Sequence, residues 1–119
     1  MKKIIFLGLF LTVLFSCRKD KVGDDQVSPL NCEDTISYAQ DIQPFLDINC
    51  STSGCHNSTT NAAGYVFEDY DDADLHANII LSVIRHDAGF SAMPQGAAKL
   101  SVSTIQQMAC WIEQGKLNN

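Results

Sequence analysis

Cys50-Ser51-Thr52-Ser53-Gly54-Cys55-His56 is the stretch on which the reading of the fold turns. Two thiols are separated by four residues, and an imidazole directly follows the second. Small and polar residues fill the gap, so it can bulge outward without burying bulk. An apolar run containing Ile42, Phe45, Leu46 and Ile48 leads into it. A stretch of little periodicity, from Ser51 to Tyr70, leads away. An aperiodic loop of that length in a small domain signals function or a hidden constraint.

Working outward, the pattern predicts three helices. The first runs from about Asp41 to Asn49, with Pro44 tolerated because it falls in the first turn. The second runs from about Asp72 to Arg85. Leu75, Ile79 and Val83 repeat every four residues along it, and Ile80 and Ile84 widen the stripe. Asp69, Asp71, Asp72 and Asp74 at its start and Arg85 at its end suit the helix dipole. The same four carboxylates invite a calcium loop, but the order of an EF-hand, with its central Gly and closing Glu, is missing. They read as a solvated helix start. The third helix has Ser101 as N-cap, Leu100 and Ile105 at staple positions, and Gly115 as its stop. Val102, Ile105, Ala109 and Ile112 form its apolar face, with Met108 and Trp111 beside them. Nothing between the helices reads as paired strands. The expected class is a small all-α domain with long loops.

The chain has 119 residues, which suits one domain with short extensions. Its formal charge of −6 argues against a nucleic-acid binder, which needs a basic face for phosphates. Met1-Lys2-Lys3 followed by the apolar run Ile4 to Phe15 fits a signal-peptide core, too short to span a bilayer as a permanent helix. The run ends in Leu14-Phe15-Ser16-Cys17, which resembles the lipobox of bacterial lipoproteins. That resemblance implies removal of residues 1–16 and a lipid on the Cys17 thiol. Losing those residues, with Lys2 and Lys3, leaves 103 residues at formal charge −8. Residues 17–31 are polar, carry both charges and lack an apolar period, and so read as a flexible tether.

The folded part, 32–119, is small enough for its core to be thin, so a disulfide, metal or cofactor is expected. With Cys17 assigned to lipid, Cys32, Cys50, Cys55 and Cys110 remain, an even number suited to an oxidising compartment. Read as residues alone they leave three disulfide pairings open. A zinc site from Cys50, Cys55 and His56 with His76 or His86 is a further alternative, made awkward by adjacent ligands on one tetrahedral ion.

Cys55-His56 preserves the end of the C-x-x-C-H signature of c-type haem attachment, with the first cysteine two residues farther away as C-x4-C-H. Tyr38 to Leu46 leads into it, and Met93-Pro94-Gln95-Gly96 stands shortly before the last helix. Trp111-Ile112-Glu113-Gln114-Gly115 is similar to the W-I-x-x-G close of bacterial cytochrome c domains. Together, from about Ser37 to Gly115, the chain resembles a class I-like c-type cytochrome. The resemblance implies three helices around one covalent haem c. Cys50 and Cys55 would be the thioether links, His56 the proximal iron ligand and Met93 the distal one, with His86 its main rival and His76 a weaker one. A His/Met pair raises the reduction potential relative to two imidazoles. Tyr65 and Trp111 could flank the haem. In the cytochrome layout the first and last helices cross, so Cys32 and Cys110 could form a disulfide between them; a free, buried Cys110 is the alternative.

The expected function is then a membrane-tethered single-haem electron carrier, not an enzyme, in the bacterial cell envelope. It would face the periplasm or the cell exterior and meet redox proteins through their basic docking faces. No Ser-His-Asp order, phosphate loop or paired-carboxylate motif points to catalysis. The rival is a disulfide-stapled surface lipoprotein that binds a protein or glycan without haem. A haem enzyme or gas sensor is a third reading, and it requires that Met93 not bind iron.

Overall fold

The computed structural model describes residues 31–119. The expected signal peptide (1–16), Cys17 and all but the last residue of the tether (17–31) lie outside them. The described domain is all-α, with no strand among these residues. Nor is any helix among them long and apolar enough to cross a membrane.

A π-helical turn, Tyr38–Ile42, runs directly into α1, Gln43–Asn49. The helical path thus starts earlier than the sequence suggests, and Pro44 sits in the first turn of α1. Ahead of it the bonds are wide, with the N–H groups of Ile42 and Gln43 donating to the Ser37 and Tyr38 carbonyls. A proline has no N–H and its ring collides with the carbonyl four residues back in a regular helix, so a wider turn before it relieves that conflict. The start is capped reciprocally: Ser37 Oγ accepts from Gln40 N at 3.2 Å, and Asp41 Oδ2 accepts from Ser37 N at 2.8 Å.

Helix α2, Tyr70–Arg85, begins two residues before its expected start because Asp69 caps it, accepting from Asp72 N at 3.0 Å. Asp74 pairs with Lys116 Nζ at 2.7 Å. Helix α3, Val102–Glu113, starts at its expected cap, where Ser101 Oγ accepts from Thr104 N. It ends at Gly115 in a left-handed conformation: Lys116 N donates to Trp111 O, and Gly115 N to Ile112 O. This is a Schellman cap, which glycine enters without the clash a Cβ makes.

Helix α3 packs on α2 and on the π turn. One ring each from the π turn, α2 and α3 meets at the centre: Tyr38 lies 5.2 Å from Tyr70 and 5.9 Å from Trp111, centroid to centroid. Trp111 is fully buried, and its indole N–H donates to Leu117 O at 3.0 Å. Cys32 and Cys110 are joined by a disulfide that closes a separation of 78 residues. Beside it, Gln114 binds Ile36 N and Asp34 O through its side chain.

The expected apolar faces need correction in phase. On α2 the buried row is Ala73, Ala77, Ile80 and Ile84, whereas Leu75 is 76% exposed. Ile48 on α1 and Val102 on α3 are likewise 72% and 62% exposed rather than buried. The buried part of α3 is Met108 to Trp111. Alanines at positions 73 and 77 offer little bulk, which lets a neighbouring helix approach closely.

Candidate functional site

The segment from Ser51 to Asp69 is aperiodic in sequence but tightly bonded in structure. His56 N donates to Cys50 O at 3.0 Å, which closes the cysteine segment into a ring. Ala62 N donates to Cys55 O at 3.1 Å, and Phe67 N to His56 O at 2.9 Å. Ser51 Oγ donates to Phe67 O at 2.6 Å. A single 3-10 turn, Ala62–Gly64, lies inside the loop. These bonds fold the two ends of the loop together and carry His56 and Phe67 to the same place.

That place is a cleft of about 230 Å³. His56 lines it from the loop after α1, and Met93 from the loop after α2. Tyr65, Phe67 and Phe90 supply aromatic wall, and Ile79, Ile80 and Val83 supply one side of α2. The remaining stripe expected to be core therefore has a different use: Ile79 and Val83 face the cleft. Phe90, 47% exposed, also lines the cleft. Sequence reading missed Phe67 and Phe90. Their only signal was that they are large aromatics in loops without helical period.

Both donors are oriented by backbone. His56 Nδ1–H donates to Tyr65 O at 3.3 Å, which leaves Nε2 as the free ring nitrogen. Met93 N donates to Val83 O at 3.0 Å, and His86 Nε2–H donates to Met93 O at 3.1 Å. His86 is thus engaged with the methionine backbone, and it is Met93, not His86, that lines the cleft. His76 Nδ1–H donates to Asp72 O, with its ring edge-on to Tyr65 at 5.1 Å. Trp111 belongs to the core instead of the cleft.

The cysteines are placed differently. Cys50 and Cys55 both carry free thiols. Neither lines the cleft, although Cys55 is bonded to His56, which does. Cys50 is buried in the same apolar cluster as the cleft wall residue Phe67. Burial, and then the neighbouring Cys55, push its thiol up to about 12. Among the described residues no three His, Cys, Asp or Glu side chains gather as a cation site. The tetrahedral set of Cys50, Cys55 and His56 with His76 or His86 is therefore not assembled.

No protein family, no curated protein and no solved structure matches this chain. Chemistry at the site must rest on the site itself. An imidazole with a free Nε2 and a soft thioether, in an apolar and aromatic cleft, is a donor set suited to iron in a flat apolar macrocycle. Of the two free thiols, Cys55 directly precedes the imidazole, and the Cys50 carbonyl accepts from His56 N.

Proposed function

We propose that this protein is a membrane-tethered, single-haem c-type cytochrome that carries electrons in the bacterial cell envelope. One observation carries the reading: His56 and Met93, from separate loops, line the same apolar cleft. The free thiols of Cys50 and Cys55 beside His56, and the lipobox-like segment ending at Cys17, support it.

In this reading His56 Nε2 and Met93 Sδ would hold the iron, and the Cys50 and Cys55 thiols would hold the macrocycle. As free thiols they would supply the S–H groups for thioether links, an addition that needs no leaving group. Haem, when bound, supplies a one-electron couple. The chain's own part is to hold the donors still, to exclude water and to set the potential. Tyr65 O fixes the imidazole tautomer, which raises its basicity toward a metal. Phe67, Ile79 and Val83 keep water from the site, and a thioether donor favours the reduced ion. The acidic chain suits partners with a basic docking face; its formal charge is −6.

The test is expression in a periplasm that matures C-x4-C-H proteins, followed by a denaturing gel stained for haem. Colour that survives denaturation and is lost in Cys55→Ala supports the proposal. A colourless protein from such cells would refute it and leave a disulfide-stapled binding module as the account.

A further inference from the structure

We infer that His86 is the positioning residue for Met93, an inference that rests on the haem reading above. Helices α2 and α3 end in the same Schellman arrangement. At the end of α2, Asp87 N donates to Ser82 O at 3.0 Å and His86 N to Val83 O at 3.3 Å. The residue in the left-handed position is Gly115 in one case and His86, at φ 58° and ψ 43°, in the other. A side chain there makes the steric conflict that glycine avoids. Histidine is thus a costly choice for a cap, and its ring makes one contact that glycine cannot: the 3.1 Å bond to the Met93 carbonyl.

That bond is half of a clamp. Val83 O, on the last turn of α2, accepts from Met93 N at 3.0 Å. Both backbone polar groups of Met93 are therefore tied to the end of one helix, across the excursion 87–92. Val83 itself lines the cleft beside the Met93 side chain. With its peptide groups fixed, Met93 has only its side-chain torsions left to search for the iron. Released from His86, the loop would hold Met93 by one bond and the sulfur would sample positions off the cleft.

The variant His86→Gly removes the ring while favouring the cap's backbone, so the fold is retained. His86→Gln keeps a donor at the same reach and serves as rescue. In the haem-free full chain, hydrogen exchange at the Met93 amide should quicken by about tenfold in His86→Gly, the scale of one lost hydrogen bond, and recover in His86→Gln. In the haem-loaded protein, His86→Gly should weaken the sulfur-to-iron charge-transfer band and lower the reduction potential, with both restored by His86→Gln. Unchanged Met93 exchange in His86→Gly would overturn the clamp. Faster exchange with an intact band and potential would overturn the positioning role, provided Met93→Ala abolishes the band. A Met93→Ala protein with an unaltered band would instead remove Met93 as ligand, and the inference would fall with it.

Discussion

Removing the Cys32–Cys110 disulfide tests how this small domain is held together. The bridge spans 78 residues, so by the chain-entropy relation its loss should cost about 4.5 kcal/mol through a freer unfolded chain. A domain has roughly 5–15 kcal/mol in all, so the loss is a large fraction of it. The native arrangement has other ties in the same place. Gln114 still bonds Ile36 N and Asp34 O, and Asn119 bonds Ser37, Tyr38 and Ala39. The double variant Cys32→Ser, Cys110→Ala should therefore fold, with helical content unchanged, and melt roughly 20 to 35 °C lower. Alanine is chosen at position 110 because that side chain is buried and a hydroxyl there would lack a partner. Urea titration should show a lower midpoint and a larger m-value, since an uncrosslinked chain exposes more surface. A loss below about 1 kcal/mol with m unchanged would refute the entropic account. Lost helical content would show instead that the bridge shapes the native state.

Two further outcomes follow from burial at the site. In the haem-free protein, Cys55 should be alkylated near pH 8 well before Cys50, because Cys50 is buried and its thiol is pushed up to about 12, leaving little thiolate; mass mapping after a brief pulse would show it, and equal labelling would contradict the packing. Alkaline stability should also depend on haem. The Cys50 thiol rises from an ordinary 9.0 to about 12, and burial, then Asp69, Asp47, Asp72 and Asp71, raise Tyr38 from 10.0 to about 12. Groups whose folded values are raised give stability that is complete below the unfolded value and lost as pH climbs to the folded one. The haem-free protein should therefore weaken from about pH 9 upward, while a protein with Cys50 in a thioether should hold until about pH 10, where Tyr38 of the unfolded chain starts to ionise and the folded one, at about 12, does not; identical alkaline profiles would argue that Cys50 is not attached.

The helices were legible wherever their ends carry chemistry. Ser101 and Gly115 bound α3 because a hydroxyl cap and a left-handed stop are local requirements. The π turn at Tyr38 was not legible, since its cause, Pro44, lies six residues on and reads equally well as the first turn of a helix. The phase of α2 was misjudged for a different reason. Leu75, Ile79 and Val83 are more apolar than Ala73 and Ala77, and hydropathy ranks them first. Yet one row packs on α3 while part of the other walls a cleft, and apolar character alone does not tell a core from a cleft. His56 and Met93 were legible as residues through their neighbours. The His86 bond to Met93 was not, because nothing in local sequence marks a side chain that reaches back from a helix cap.

The two halves of the candidate site are held by different means, and that separates two properties usually lost together. His56 and Met93 are set by backbone bonds to Tyr65, Val83 and His86, none of which involves a thiol. Cys50 is packed in the core and Cys55 lies outside the cleft lining. In the haem reading the donors would thus be preorganised without the cysteines, and the cysteines would add permanence instead of geometry. A Cys50→Ala, Cys55→Ala protein should accordingly bind added haem reversibly, with the same sulfur-to-iron charge-transfer band as the wild type, and lose all colour on a denaturing gel. Absent haem binding in that double variant, with the helices intact by circular dichroism, would mean that the thiols build the site, and the preorganised cleft would lose its role.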